Sequence, residues 1–484
     1  MNKKIFCRVM GLVLAFAILL GGFSVLTFVT NQKKAYEQWP DFFEEAESLD
    51  VIFLGNSRMR DAVLPTEIWA EYGITGYNMS FPGATSFGCY CMLMNTLDYV
   101  SPKAVILDCS LLSWTDTDIS KAQLQSYLVR FPMSLTKLRT AFEMYPLGEA
   151  SVDDLFSVIW SFSIFHNRWS ELELEDFYVQ NVSDRGGVKL FSNTICGEPF
   201  FTYEALAYEE TAAATEYIVK IAEECEKRGI ELLLCHLPFS AGEQEAKAAN
   251  TGALIAEGLG LEYINFLSED IIDYKTDMYE GDHMNFSGAM KISSFLGRHL
   301  SETYGLPDHR EEAGYSCWDD SYPGYLADKY AVLANEPLLD NYLLKLSDRQ
   351  FSSVISILPG SDLFEQEKLV YLLKNVAGTT LPLFDQAAES GEGYMFFVDS
   401  KSGTVYEALG NGLIEDSSVG QIGASYENAV VLFNGQEYGL ANPCKEAEHS
   451  DIQVFVFDSG LEPLTECSHS FAFTEDGYFE RTDY

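Results

Sequence analysis

Basic residues are scarce in this sequence. Lys and Arg number 31 against 73 Asp and Glu, a formal net charge of -42 over 484 residues. Binding to nucleic acid needs a basic surface to neutralise phosphates, so that partner class is excluded. Docking on anionic lipid is disfavoured for the same reason. The acid is not arranged as a calcium loop of the Asp-x-Asp-x-Asn-Gly kind, so it reads as solvated surface charge that keeps the protein soluble. The ten cysteines include no paired C-x-x-C sets, and a zinc site is not expected. Cys89 and Cys91 are too close to bridge. Cys109 and Cys235 end apolar runs and read as core thiols. Cys444 and Cys467 share a late segment and are the pair placed to bridge outside a cell. No internal repeat or low-complexity tract stands out, and no cofactor motif is present.

Long apolar runs are also lacking, with one exception. Lys3, Lys4 and Arg8 precede an apolar stretch from Val9 to Val29, closed by Asn31, Gln32, Lys33 and Lys34. A run of roughly 20 residues is long enough to span a bilayer as a helix. No small-x-small cleavage signature follows, and no cysteine stands at its end to take a lipid. A single-pass membrane anchor is expected over residues 1–34, with a short cytoplasmic tail and the bulk of the chain outside.

Beyond it, short buried-strand runs alternate with helical patterns. Val51 to Leu54, Gly76 to Met79, Ala104 to Cys109, Glu231 to Cys235 and Leu261 to Phe266 read as five strands. Stretches around Ile68 to Tyr72, Thr85 to Val100, Ala207 to Arg228, Glu243 to Leu259 and Phe286 to Leu300 read as the helices between them. That alternation predicts an α/β fold: a three-layer, doubly wound parallel sheet over residues 35–305. Residues 120–200 break the alternation and read as an insertion over one sheet edge, placed as a lid would be, whose aromatics Trp160, Trp169 and Phe177 are expected in a core. Residues 306–330 read as a loop-like linker, and 331–484 as an α+β accessory domain with short strands and hairpin turns such as Asn434-Gly435.

The chemistry concentrates at two distant places. Leu54-Gly55-Asn56-Ser57 puts a serine just past the carboxyl end of a buried strand, where doubly wound sheets bind their ligands. Glu280-Gly-Asp282-His283-Met-Asn285 supplies a histidine with two neighbouring carboxylates. Acyl transfer by serine needs a nucleophile, a base and a group to orient the base. Ser57 and His283 are the expected nucleophile and base. Glu280 is the first choice for the orienting carboxylate, because residues three apart on a tight loop fold back on one another, and Asp282 is the second. Gly55-Asn-Ser-Arg-Met59 lacks the second glycine of the Gly-x-Ser-x-Gly elbow, which argues against an α/β-hydrolase. The plainer readings are a helix cap for Ser57, a surface loop for His283, a capping role for Asn285, turn geometry for Gly83, core or loop packing for His236 and a surface site for His299. His449 and His469 have no evident partners.

Gly55-Asn-Ser57, the Asn78-Met-Ser-Phe-Pro-Gly83 turn and Glu280-Gly-Asp-His283-Met-Asn-Phe-Ser-Gly288 together resemble the SGNH (GDSL-like) hydrolase superfamily. The likeness covers roughly Asp50 to Leu300. It is nearest to the membrane-anchored extracytoplasmic branch that includes teichoic-acid D-alanylation and alginate O-acetylation proteins. The resemblance implies a flavodoxin-like sheet, an acyl-Ser57 intermediate, His283 as base, and an oxyanion hole lined by the backbone N–H groups of Ser57 and Gly83. The family's Asp three residues before His is Glu280 here. The family's Gly-x-Asn after the third strand is replaced by Leu107-Asp108-Cys-Ser110, which removes one oxyanion donor and leaves Asn78 as the residue placed to compensate. Residues from about Ala331 to Phe473 resemble, in strand order, the interleukin-like EMT-inducer (PANDER-like) domain, which implies a non-catalytic glycan- or protein-binding role. Two functions follow. One is an envelope-anchored serine esterase or O-acyltransferase acting on a cell-surface polysaccharide, with a membrane acyl donor protein as partner. The other is a non-enzymatic glycan-binding or assembly protein on a degenerate SGNH fold.

Overall fold

The computed structural model describes residues 3–30, 42–113, 126–144, 152–159, 162–177, 184–199, 212–240, 242–410, 413–416, 419–425, 428–441 and 450–482. Its first element, α1 (Lys3–Thr30), contains a 23-residue apolar stretch from Arg8 to Thr30 that is long and apolar enough to cross a membrane.

The strands β1 (Val51–Leu54), β2 (Gly76–Asn78), β3 (Ala104–Asp108), β4 (Glu231–His236) and β5 (Glu262–Asn265) form one parallel sheet in the order β2-β1-β3-β4-β5. Side chains of successive strand residues point to opposite faces, so a strand covered on both sides must be apolar throughout. Ile52, Leu54, Val105, Leu107, Leu232 and Leu234 enter one core. Val51, Phe53, Ala104, Ile106, Leu233 and Cys235 enter the other. The first core is closed by the helices α2 (Ser86–Thr96) and α3 (Ala212–Arg228), and the second by α4 (Phe286–Glu302). These three layers are those expected from the alternating pattern.

The later half carries a six-stranded antiparallel sheet and a four-stranded one. The central strand of the larger sheet, β6 (Phe351–Ile357), is buried along its whole length because both of its faces are covered. Phe351, Ile355 and Ile357 pack with the helix α5 (Glu367–Ala377) and its neighbours. Val354 packs with Ile422, Val431 and Phe433 of the smaller sheet. Asn434 and Gly435 both adopt positive φ, 51° and 81°, as a two-residue hairpin turn requires.

Two expectations are overturned. Residues 307–324 are not a loop throughout: a helix runs over Ser316–Ala334 and carries Trp318 and Tyr325 into full burial. Trp318 packs at a tilt against Trp69 (5.2 Å between centroids, 42° between planes), and the Arg185 guanidinium lies 3.6 Å over its ring. The short-range turn signals there, Trp-Asp-Asp and Tyr-Pro-Gly, are outweighed by this tertiary packing. The second correction concerns the insertion: Trp169 is 73% and Phe177 57% exposed, so neither is core. Trp160, His449 and Cys444 fall outside the described residues, while Cys467 is a buried free thiol.

Candidate active site

The Ser57 turn is built from the strand that precedes it. β1 ends at Leu54, and a six-residue helix begins at Ser57. Asn56 caps that helix, its side chain accepting from the Arg58 N–H at 2.9 Å. Gly55 is required by space. A Cβ there would stand 2.5 Å from the Met59 Cβ and 3.2 Å from the Asp108 Cβ. Ser57 is the first helical residue, so its backbone N–H has no intrahelical acceptor. The Phe81 N–H donates to the Gly55 carbonyl at 3.2 Å, which ties the turn holding Gly83 to the serine turn. Gly83 has φ of 69°, the left-handed region that its turn demands.

His283 comes from a hairpin in which Glu280 and His283 are paired across Gly281-Asp282. Its Nε2 lies 2.8 Å from the Ser57 Oγ, across 226 residues of sequence. Its Nδ1 lies 2.7 Å from Glu280 Oε1. An ionised carboxylate only accepts, so Nδ1 carries the proton and Nε2 accepts from the serine hydroxyl. A hydroxyl, an imidazole and a carboxylate are thus connected in the order that nucleophilic catalysis uses. Of the two carboxylates weighed from sequence, Glu280 is the one that bonds the ring. Asp282 turns away, with Oδ1 3.4 Å from an Arg58 guanidinium nitrogen. Arg58 itself is buried and lies 3.5 Å over the Phe239 ring.

Asn78 does not supply the oxyanion donor expected of it. Its amide donates to the carbonyls of Met59 and Val63, both at 2.9 Å, and its Oδ1 accepts from the Ser80 N–H. It is a fully buried brace beneath the serine helix. The 107–110 block is likewise structural. Asp108 accepts from the backbone N–H groups of Ser110 (3.1 Å) and Leu237 (3.2 Å) and from the Ser110 hydroxyl. Burial raises its carboxyl above the usual range, against these hydrogen bonds. Asp108 and Ser110 thus form a staple joining the carboxyl ends of β3 and β4. The Asn56 amide reaches Ser110 Oγ at 3.4 Å.

Sequence reasoning missed three supports. Asp61 stands one helical turn after Ser57, on the same face, and its Oδ2 is 3.9 Å from His283 Nε2. Burial raises its carboxyl, and the flanking Arg60 guanidinium opposes this through bonds of 2.6 and 3.0 Å. The i, i+4 spacing was a legible signal for it. The second support is the segment 184–199, which returns from the insertion as a strap. It bonds Asn78 N to Arg185 O, Val188 N to Arg60 O, Thr194 N to Met278 O and Phe286 N to Leu190 O. The third lies below the hairpin, where the buried Asp277 accepts from Lys291 (2.7 Å) and Ser287 (2.8 Å). Asn375 of α5 bonds both of those residues. Asn285 caps α4 through the Gly288 N–H, as expected.

Three further histidines lie outside this chain of bonds. His236 is fully buried near Arg58, and neither ring nitrogen has a partner among the described residues. His299 pairs with Glu262 at 3.1 Å, and His469 with the Ala334 carbonyl at 3.0 Å. Among the described residues no cluster of three or more His, Cys, Asp or Glu side chains could hold a metal ion.

The chain matches no family model and no curated protein. Among solved structures it is similar to an acylhydrolase candidate from Bacteroides fragilis, with 12% identity, a TM-score of 0.29, and coverage of 56% of this chain and 99% of that one. It is also similar to a GDSL-like lipase from Bacteroides thetaiotaomicron, with 10% identity, a TM-score of 0.29, and coverage of 56% and 100%.

Proposed function

We propose that the protein is a serine ester hydrolase or O-acyltransferase, anchored in the cell envelope by α1 and acting on O-acyl groups of a cell-surface polysaccharide. The observation that carries the chemistry is the continuous Ser57–His283–Glu280 relay at 2.8 and 2.7 Å. Ser57 Oγ attacks the ester carbonyl carbon while its proton passes to His283 Nε2. Glu280 at Nδ1 stabilises the imidazolium that forms, and Asp61 adds a second negative charge near Nε2. The tetrahedral oxyanion is received by backbone N–H groups, that of Ser57 first. His283 then gives its proton to the departing alkoxide, leaving an acyl-Ser57 ester. Water or a sugar hydroxyl, deprotonated by His283, attacks that ester and frees Ser57. The polysaccharide and a membrane acyl-donor partner are supported by the sequence resemblance, and the anchor by the length and apolarity of α1.

A second reading has its own observation. The Asp108–Ser110 staple and the committed Asn78 amide leave the oxyanion site one side-chain donor short, which suits a glycan-binding or assembly protein that keeps the fold without turnover. Hydrolysis of a small acetyl ester by wild type and by Ser57→Ala separates the two. Turnover that disappears in Ser57→Ala is expected. Equal, background-level rates in both proteins would refute the enzymatic reading.

A further inference from the structure

Part of the insertion lies against the membrane-length helix rather than over the sheet. Along the last two turns of α1, Phe23, Thr27 and Val29 are half-buried and Thr30 is buried, while Val25, Leu26 and Phe28 stay exposed. Phe162 meets Phe23 edge to face, with 4.8 Å between ring centroids. Arg168 donates to the Thr30 carbonyl at 2.9 Å and is itself held by the buried carboxylate of Asp176 at 3.1 Å. These contacts fix the insertion to the last two turns of α1. At about 1.5 Å per residue, Phe23 lies roughly 10 Å back along the helix from Thr30. A bilayer hydrocarbon core is about 30 Å thick, so a 23-residue apolar span leaves that level inside the membrane boundary.

The same segment also exposes three large apolar side chains among polar ones. Trp169 is 73%, Leu174 84% and Phe177 57% exposed. We propose that residues 162–177 form an interfacial patch that sits in the bilayer surface beside α1, with Trp169, Leu174 and Phe177 among lipid headgroups and upper acyl chains. Tryptophan suits that level because its ring is apolar and its N–H polar. The exposed Glu171 and Glu173 alternate with the apolar residues and keep the patch at headgroup depth. They also make zwitterionic lipid its partner rather than anionic lipid. The consequence for the site is positional: the patch and α1 together hold the sheet at a fixed distance from the membrane. The inference rests on the reading of α1 as an anchor.

The test uses the full chain in phosphatidylcholine nanodiscs, with the photocrosslinker p-benzoylphenylalanine placed at position 169, at 174 or, as a control, at 413 on the later four-stranded sheet. Leu174 is so exposed that replacing it leaves packing intact, which keeps the test informative if the variant at 169 fails to fold. Irradiation should add the mass of one phospholipid at 169 and 174 at least five times as often as at 413, and less often when the lipid is phosphatidylglycerol. Lipid adducts no more frequent than at 413 would overturn the proposal. So would adducts to another protein in the membranes of producing cells, which would make the patch a partner surface. Carbonate extraction keeps the two readings distinct: a chain that washes off membranes refutes the anchor and the patch together, whereas an unextracted chain without lipid adducts refutes the patch alone.

Discussion

Glu280 and Asp282 differ by two positions and offer the same functional group, so exchanging their charges one at a time tests the geometry of the site. Glu280→Gln keeps an acceptor for the His283 Nδ1–H and removes only the negative charge. A hydrogen bond to a charged group contributes about 1.5–3 kcal/mol. The Glu280 side chain is 57% exposed, so solvent screening brings the figure down. Asp61, 3.9 Å from Nε2, supplies some negative potential that remains in the variant. A loss of about 1–2 kcal/mol of transition-state stabilisation is expected, or roughly 5- to 30-fold in kcat/KM. Asp282→Asn changes a carboxylate that is 66% exposed and whose one ion pair among the described residues is with Arg58, at 3.4 Å. It should change kcat/KM less than about threefold, since that contact lies at the outer limit of a hydrogen bond. The assay is steady-state hydrolysis of 4-nitrophenyl acetate by wild type and both variants. If Asp282→Asn loses more than Glu280→Gln, or if Glu280→Gln is as fast as wild type, the relay drawn from the structure is wrong.

Burial, with help from the Arg58 charge, pulls His236 from 6.5 down to about 3. A base with a depressed pKa takes up its proton in the unfolded chain first, so stability falls as pH drops below 6.5, by about 1.4 kcal/mol per unit. His236→Phe should therefore lose less stability than wild type between pH 7 and pH 5, measured as urea midpoints. Lys329 is buried between Glu67 (2.5 Å) and Asp348 (2.7 Å). Burial lowers its pKa, but those carboxylates outweigh it and hold the amine above its ordinary value, so the stabilisation is present below pH 10.5 and lost well above it. Lys329→Met strands two buried acids and should cost about 3–5 kcal/mol at pH 7 by urea denaturation. Asn375→Ala removes the bonds to Lys291 and Ser287 beneath the His283 hairpin. It should lower kcat about 2- to 10-fold with KM unchanged, a loss of the order of one hydrogen bond.

Much of the first sheet was legible because its strands obey a local rule. Val51–Leu54 and Ala104–Leu107 are continuous apolar runs, as burial on both faces demands. The helices between them announce themselves by period and by stops such as Gly73, whose φ is 65°. The later small sheet was less legible. Gly420–Ser425 and Gln436–Gly439 are short, half-exposed and poor in β-branched residues, so they carry little local signal. The helix over Ser316–Ala334 was illegible for the opposite reason: its sequence, Pro323 included, looks like turn, and its stability comes from Trp318 and Tyr325 finding distant partners.

The same division runs through the site. Sequence alone determined the chemical inventory: a serine at a strand end, a histidine in a tight acidic loop, and the choice between two carboxylates beside it. Spacing along the chain is enough for that, because a turn after a strand and a three-residue return are local geometries. Only the tertiary structure decided that Glu280 and not Asp282 bonds the His283 ring, that the Asn78 and Asp108 side chains are taken up by backbone groups, and that Asp61, the 184–199 strap and Asn375 gather around the serine turn and the histidine hairpin. Those relations join residues tens to hundreds of positions apart, and they are set by how the layers pack, which no local period records.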